Sequence, residues 1–374
     1  MSWTPKRLDE LGSVSRGRSR HRPRDAAHLY GGPHPFIQTG DVKHAGLYIT
    51  GFSQTYTEAG LQQSKLWPAG TLCITIAANI ADTAILGIDA CFPDSVIGFI
   101  ADSTQSDARF VKYLFDATIK VRAKQFSQGA TQDNLSQEKL LSLDFDVPPV
   151  AEQTRIADIL STYDNLIENN RRRMTLLEES ARLLYREWFV RLRFPGYEHT
   201  PIVDGVPHGW ERKTLGDSIT LNYGKALKAE IRVEGDYPVY GSSGIVGTHE
   251  KPLVRGPAII LGRKGNVGSV YWSSKSFFPI DTVYFVTPES SSLYLFYALK
   301  NMHFISTDVA VPGLNRDFAY SRPLMHPPVT LLRSFHETVE PIHAQLDKLD
   351  ETNQKLRTAR DLLLTRMMSG ELAV

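Results

Sequence analysis

Residues 148–193 read PPVAEQTRIADILSTYDNLIENNRRRMTLLEESARLLYREWFVRLR, with no glycine and with many Glu, Arg and Leu residues after the paired prolines. Along this segment, the side chains that would line a helix-packing seam recur at alternating spacings of four and three. The series is Ile156, Leu160, Tyr163, Ile167, Asn170, Met174, Leu177, Ala181, Leu184 and Trp188. This heptad pattern is typical of a coiled coil, so it predicts a long helix that packs along a second helix.

The C-terminal residues 327–374 contain a second series with the same spacing. Its members are Phe335, Val339, Ile342, Leu346, Leu349, Asn353, Leu356, Arg360, Leu363 and Met367. If the two helices pair antiparallel with Asn170 opposite Asn353, every seam position faces a seam position, including Ile167 with Leu356 and Met174 with Leu349. A single buried polar layer is a common means of fixing register. We therefore predict an antiparallel coiled coil with the two asparagines in contact.

One alternative and one sequence feature stand against that interpretation. The simpler alternative is that each segment is an ordinary amphipathic helix packed on its own domain. Pro341 lacks an N–H group, so we expect it to kink the second helix or to make it begin late, which would affect the layers of Phe335 and Val339 most.

Outside the helices, the sequence contains an internal repeat of two copies. Residues 35–37, 70–76 and 91–93 recur as 237–239, 256–261 and 277–279, and Leu135 and residues 148–150 match Leu314 and 327–329 at an offset of 179. Runs of β-branched and aromatic residues predict short strands, and residues 107–118 and 292–302 predict one helix in each copy. The expected fold class is α+β with a pseudo-two-fold internal repeat. Its parts are a first domain at 1–147, a central helix at 148–194, a second domain at 195–326 and a C-terminal helix at 327–374, the two helices forming the coiled coil.

The composition is that of an ordinary soluble protein. Its 374 residues include 42 Lys+Arg and 41 Asp+Glu, a formal net charge of +1, so any surface for nucleic acid must be local. Cys73 and Cys91 lie in apolar runs without CxxC spacing, which indicates reduced thiols. Neither a signal peptide nor a membrane span is visible, and we expect a cytoplasmic protein.

Motifs for catalysis are missing from the sequence. The glycines of residues 241–247 and 262–268 have GxxGxxG spacing between short strands, which favours turns over a phosphate cradle. Neither Pro-Pro pair is preceded by the Asn or Asp that an adenine methyltransferase needs. Asp25 with Asp41 and Lys43 forms only a loose metal-nuclease spacing, of a kind that arises by chance. We predict that the chain has no catalytic residue and binds no metal or cofactor.

Positive charge is concentrated in one stretch of the first domain. Arg16, Arg18, Arg20, Arg22 and Arg24 alternate with Gly, Ser, His and Pro residues. Such a stretch could follow a phosphate backbone or place an arginine against guanine. A flexible, solvated run of charge is an equally good interpretation of the pattern.

The second domain carries its cations on glycine-rich turns. The residues singled out as candidate DNA contacts are Lys225, Ser242, Ser243, Arg263, Lys264 and Asn266, with Tyr223 and Lys228 nearby. Glycine permits close approach of the backbone while Lys, Arg, Ser and Asn side chains reach base edges. The two domains differ most in these loops, as two readers of different DNA sequences would.

The whole chain resembles the specificity subunit of type I restriction-modification systems. The resemblance rests on residues 35–42 (PFIQTGDV), 153–156 (QTRI), 167–172 (IENNRR), 262–268 (GRKGNVG) and 363–372 (LLTRMMSGEL). Each motif is weak alone, but their order and the duplicated layout make the match specific.

This resemblance implies a non-catalytic DNA-reading subunit. Each domain would recognise one half of a split target, and the coiled coil would set the spacer. Two methyltransferase subunits, using S-adenosylmethionine, would bind around it, and motor-nuclease subunits would add restriction. The alternatives from other classes are a stand-alone metal-dependent nuclease using Asp41 and Lys43, a fragment of a fused restriction-methylation enzyme, or a dimerising scaffold that reads no bases.

Overall fold

The computed structural model describes residues 3–77, 81–119, 136–302, 304 and 313–372. The chain forms two compact units, unit 1 (Met1–Arg171 with Glu351–Val374) and unit 2 (Arg172–Asp350). The boundary between them falls within both long helices, so each unit contains a segment of each helix. Leu135, which the repeat pairs with Leu314, lies outside the described residues.

Unit 1 combines three sheets with short helices and the first part of the central helix. Its strands are β1 (Thr4–Arg7), β2 (Gly12–Arg16), β3 (Tyr30–Phe36), β4 (Tyr48–Ile49), β5 (Gln54–Tyr56), β6 (Leu66–Trp67), β7 (Leu72–Thr75), β8 (Thr83–Leu86), β9 (Ala90–Cys91), β10 (Val96–Ala101) and β11 (Asp144–Val147). Its helices are α1 (Leu8–Leu11), α2 (Thr39–His44), α3 (Glu58–Gln62), α4 (Ala108–Ala117), α5 (Gln137–Leu141) and the central helix α6 (Val150–Tyr185). The strand orders are β2-β10-β7-β8-β4, β5-β3-β9-β6 and β1-β11.

Unit 2 has four sheets. Its strands are β12 (Ile202–Val203), β13 (Val206–Pro207), β14 (Glu211–Thr214), β15 (Asn222–Tyr223), β16 (Tyr237–Gly241), β17 (Gly244–His249), β18 (Ala258–Gly262), β19 (Val270–Ser273), β20 (Phe278–Pro279), β21 (Val283–Val286) and β22 (Pro323–His326). Its helices are α7 (Leu293–Asn301), α8 (Arg316–Tyr320) and the C-terminal helix α9 (Val329–Met368). The strand orders are β15-β21-β18-β19, β17-β16-β20, β14-β22 and β12-β13.

These strand orders confirm the predicted repeat. The order β2-β10-β7-β8 of unit 1 corresponds to β15-β21-β18-β19 of unit 2, with every pair antiparallel in both. The order β5-β3-β9 corresponds to β17-β16-β20, and the contacts β3-β9 and β16-β20 are both parallel. Unit 1 adds β4 and β6 at its sheet edges.

The hydrogen bonds shift the sequence match by one residue. The Phe92 and Pro279 carbonyls accept equivalent hydrogen bonds, from the Arg18 and Lys225 N–H groups, so Cys91, which pairs with Phe36, corresponds to Phe278, which pairs with Val239. The match of residues 35–37 and 91–93 to 237–239 and 277–279 was therefore one residue short in unit 2. Adjacent apolar residues of similar type, such as Phe277 and Phe278, do not fix a register, whereas the ladder of backbone hydrogen bonds does.

The helix predicted in each domain is present with a side-chain cap at its start. The Asp107 carboxylate accepts a hydrogen bond from the Arg109 N–H ahead of α4, and the Ser292 hydroxyl accepts one from the Leu295 N–H ahead of α7. Such caps satisfy N–H groups that the first turn leaves without partners.

The central and C-terminal helices pair antiparallel, as predicted, and unit 1 contains the polar layer. Asn170 Nδ2 donates to Asn353 Oδ1 at 2.9 Å, and both side chains are buried. Six residues along α6, the buried Asp164 carboxylate pairs with Arg360 and accepts a hydrogen bond from the Tyr113 hydroxyl at 2.6 Å. The helix pair is thereby also bonded to α4.

Unit 2 contains the seam layers on either side of Pro341. Helix α9 begins at Val329, so the expected late start is wrong. Phe335 and Val339 are both fully buried, and the Phe335 ring lies 6.0 Å from that of Trp188. Burial of each such side chain contributes about 1.5–3 kcal/mol, which offsets the one hydrogen bond that proline removes.

The end of α6 departs from regular helix. Residues Arg186–Val190 form a π-turn directly after Tyr185. This turn places the Phe189 ring 5.0 Å from Phe335 and 4.8 Å from Tyr294 of α7. Unit 2 therefore has an aromatic cluster where its helices meet its domain.

Candidate nucleic-acid interface

In unit 2, three separate loops converge on the segment between β20 and β21. The Lys225 N–H donates to the Pro279 carbonyl at 3.0 Å, and the Arg263 N–H to the Thr282 carbonyl at 2.9 Å. The Ser242 N–H donates to the Thr282 hydroxyl at 3.3 Å. Candidate residues that are far apart in sequence therefore lie around one turn, which connects two of the sheets.

Arg263 is held by other groups around this turn. Its Nη1 donates to the Asp281 carbonyl at 3.1 Å, and its guanidinium lies 4.9 Å from the centre of the Tyr223 ring. Tyr223 is 49% exposed. A guanidinium fixed in this way loses little side-chain entropy when it meets a ligand.

Arg316 is a cation of this surface that the sequence did not reveal. Its guanidinium lies 5.3 Å from the Tyr223 ring centre, so Tyr223 contacts both Arg263 and Arg316. The loop that carries Arg316 is held beside Arg263, because the Leu314 N–H donates to the Arg263 carbonyl at 2.8 Å. A backbone contact between residues 263 and 314, so far apart in the chain, gives no periodic signal in a single sequence.

The remaining candidates of unit 2 differ in their environments. Lys264, Asn266 and Ser243 are exposed. Ser242 is partly structural, because its carbonyl accepts hydrogen bonds from the Ser269 hydroxyl at 2.7 Å and the Tyr271 hydroxyl at 3.1 Å.

Tyr284 lies beneath these cations. Burial, followed by a hydrogen bond with Tyr223, raises its pKa to about 12. Its hydroxyl donates to the Leu314 carbonyl at 3.1 Å. The neutral phenol therefore anchors the loop that carries Arg316.

In unit 1, the arginine stretch is fastened to the domain by its backbone. The Arg18 N–H donates to the Phe92 carbonyl at 3.0 Å, and the Arg18 carbonyl accepts from the Ser64 hydroxyl at 2.8 Å. The Arg20 N–H donates to the Gln63 carbonyl at 3.4 Å. Gly17 and Ser19 are buried between exposed arginines, so the side chains alternate as on an extended strand, and the stretch is not a loose run of charge.

The five arginines fall into two groups. Arg16 Nε donates to the Asp94 carbonyl at 2.9 Å, Arg22 Nη1 donates to two backbone carbonyls, and Arg24 forms an ion pair with the Asp94 carboxylate at 2.9 Å. The head groups of Arg18 and Arg20 make no hydrogen bond or ion pair with the residues that the structure describes. These two are the cations most available to a ligand.

The seam residues named as register determinants occupy both units. In unit 1, Ile167 is buried and Leu356 half-buried beside the asparagine pair. In unit 2, Leu349 is buried and Met174 half-buried.

Residues proposed for other chemistry have structural contacts. The Asp41 carboxylate accepts a hydrogen bond from the Gln38 N–H at 2.8 Å and so caps α2.

Cys73 and Cys91 are free and buried, and burial raises the pKa of both thiols. Within the described ranges, no three His, Cys, Asp or Glu residues cluster as metal ligands would. No helix in those ranges could cross a membrane.

Three comparisons bear on the identity of the chain. The family described as "Type I restriction modification DNA specificity domain" matches residues 1–179 and 207–329. A type I restriction enzyme MjaIX specificity subunit from Methanocaldococcus jannaschii is 24% identical over 100% of this chain and 94% of its own length. The crystal structure of a type I restriction-modification system S subunit from M. genitalium has a similar fold, with a TM-score of 0.58 at 19% identity, covering 97% of this chain and 95% of that one.

The family model matches both copies of the repeat. The M. jannaschii specificity subunit aligns with this chain over almost its full length. Subunits of this kind recognise DNA and leave catalysis to other subunits. The chain belongs to the family of type I restriction-modification specificity subunits.

Proposed function

We propose that each unit recognises one half of a split DNA target and that the paired helices set the spacer between the halves. The observation that supports this most directly is the duplicated sheet, which carries different polar side chains at the same edge in its two copies. The same strand order occurs in both units, but Arg16 lies opposite β10 in unit 1 whereas Tyr223 lies opposite β21 in unit 2. Such an arrangement suits two domains that recognise different DNA sequences.

The chemistry of both edges fits DNA. Guanidinium groups can bond to guanine O6 and N7 in the major groove, and Lys or Arg to phosphate oxygens. Unit 2 offers Arg263 and Arg316 against the exposed Tyr223 ring and the exposed Lys225 and Lys264 on the adjoining loops, and unit 1 offers its arginine stretch. Asparagine and serine side chains such as Asn266 and Ser243 add neutral donors and acceptors for base edges.

The proposal includes methyltransferase subunits docked on the helices. Leu183 and Leu362, which lie 179 positions apart as the two Pro-Pro-Val motifs do, are exposed by 44% and 61%. A large apolar side chain exposed at the matching place of each helix suits one partner on each. Those partners would bind S-adenosylmethionine and modify adenine in each half-site, and motor-nuclease subunits would join through the complex.

Methylation mapping tests this function. The full chain is assembled with a type I methyltransferase subunit, supplied with S-adenosylmethionine and a pool of random duplexes, and the modified molecules are sequenced. We expect two short specified sequences separated by a fixed number of unspecified base pairs. One continuous motif, or no preference, would contradict the proposal. Leu183→Arg with Leu362→Arg should abolish methylation while DNA binding by the chain persists, whereas Ser180→Arg, at an exposed polar position, should leave both intact.

A further inference from the structure

Gly17 and Gly224 occupy the same place in the two units. The Gly17 N–H donates to the Val96 carbonyl at 2.9 Å, and the Gly224 N–H to the Val283 carbonyl at 3.2 Å. A methyl group would lie 2.3 Å from a backbone carbonyl oxygen at Gly17 and 2.1 Å from one at Gly224. Because no side chain fits there, both positions require glycine and both bring the chain against the turn that precedes the next strand of the sheet.

The residue after each glycine is therefore fixed in the same way. The Arg18 N–H donates to the Phe92 carbonyl, and the Lys225 N–H to the Pro279 carbonyl, each at 3.0 Å. Both side chains are exposed. The frame thus presents one cation at an equivalent position in each unit.

Among the described residues, the Arg18 guanidinium and the Lys225 ammonium have no hydrogen-bond or ion-pair partner. A neighbouring guanidinium in each unit is tied instead. Arg16 donates to the Asp94 carbonyl and Arg263 to the Asp281 carbonyl, and these carbonyls precede β10 and β21 by the same number of residues. An unpaired cation on a rigid backbone is well suited to meet an anion.

We propose that Arg18 and Lys225 are a matched pair of phosphate contacts, one for each half-site, and that they carry no sequence information. The inference rests on the proposed function and assigns a role to these two residues within it. It separates them from the neighbouring cations that differ between the units.

The difference between the loops supports this division of roles. The Arg263 N–H bonds to the Thr282 carbonyl as the Ile76 N–H bonds to the Ser95 carbonyl, so unit 1 has an apolar residue where unit 2 has an arginine. Groups that read unlike sequences must differ between units. A phosphate is the same at every base pair, so its contact can be shared, and either Arg or Lys can make it.

Salt-dependent binding with sequence selection tests the pair. The full chain, assembled with methyltransferase subunits, is titrated between about 50 and 200 mM salt with a random-sequence duplex and with the duplex that the wild type selects. Arg18→Ala and Lys225→Ala should each reduce the slope of log K against log salt by about 0.9 on both duplexes. Each variant should select the same motif as the wild type, and Arg18→Lys and Lys225→Arg should bind as the wild type does.

Lys139→Ala provides the control in unit 1. The neighbouring Leu140 packs in one core cluster with Leu8 and Leu11, which precede β2, whereas Arg18 follows β2. Lys139 therefore lies away from the proposed phosphate contact, and the salt slope of Lys139→Ala should equal that of the wild type. A changed motif in either alanine variant would make that residue a base reader and overturn the proposal. An unchanged slope in either would also overturn it. If the wild type selected no split motif, the proposed function would fail while the slopes still reported on the two contacts.

Discussion

At the scale of single residues, Arg263 is held in place within the proposed DNA interface. Its guanidinium is held by the Asp281 carbonyl and the Tyr223 ring. We expect Arg263→Ala to weaken cognate binding by about 1–3 kcal/mol if it reads a base, with little effect on random DNA. Arg263→Lys should recover little of a bidentate contact. Equal affinity of wild type and alanine variant for both duplexes, measured by titration, would remove Arg263 from the interface.

His343 offers a second residue-scale prediction. Its Nε2 lies 2.8 Å from the Tyr297 hydroxyl, and burial, then the nearby Lys300, lowers its pKa to about 4. Because the folded pKa lies below the usual value of about 6.5, protonation favours the unfolded chain. This contribution to stability is complete above about pH 6.5 and is lost as the pH falls towards 4.

The Tm of the wild type should therefore fall more on acidification across this range than that of His343→Gln. His208→Gln, at an exposed position, is the control and should behave as the wild type. Parallel falls in all three proteins would show that His343 does not titrate on unfolding.

Sequence reasoning at this scale found the candidate cations but not their states. Arg16, Arg18 and Arg24 look alike in sequence, yet the structure bonds the first to a carbonyl and pairs the third with a carboxylate, while the second has no partner among the residues that the structure describes. Such differences depend on Asp94, which is brought close only by the sheet. Arg316 was missed for the same reason.

At the scale of elements, the heptad pattern predicted both long helices and the contact of Asn170 with Asn353. It could be read because seam positions depend on local periodicity alone. The expectation of a late start at Pro341 failed because the buried Phe335 and Val339 stabilise the preceding turns. No local pattern announced the π-turn at Arg186–Val190, which follows from the packing of Phe189 against α7.

The asparagine pair can be tested by a double-mutant cycle. Asn170→Leu alone leaves Asn353 buried without its partner and should cost about 1–3 kcal/mol of unfolding free energy. Changing both to Leu should recover this loss and raise stability above that of the single variants. Denaturant unfolding measures it, with Asn169→Leu, at an exposed position, as the control expected within about 0.5 kcal/mol of wild type. Additive effects would mean that the two side chains do not interact.

At the scale of the whole molecule, the repeat was visible in sequence because each copy keeps its glycines, prolines and apolar strands in order. The sheet orders and the two additional strands of unit 1 were not visible, because strand pairing depends on contacts between distant segments. The same limit produced the one-residue error in matching the copies.

The helices can be lengthened to test whether they set the spacer. One heptad added to α6 and a matching heptad to α9 preserves every seam layer and adds about 10.5 Å to each helix. We expect the unspecified spacer to change by about three base pairs at about 3.4 Å each, with both half-site sequences unchanged. An unaltered spacer in the methylated sites would show that the helices do not determine it.

The central claim is that each unit reads its own half-site, and paired methylation maps test it most directly. One variant carries Arg263→Ile and Lys264→Ala, the residues found at Ile76 and Ala77 of unit 1, and the other carries Arg16→Ala and Arg20→Ala. Each is assembled with methyltransferase subunits and mapped against the wild type on one random duplex pool. We predict that the first variant alters one half of the motif and the second alters only the other half, with the spacer constant in both. Changes by both variants in the same half, or by one variant in both halves, would contradict the account.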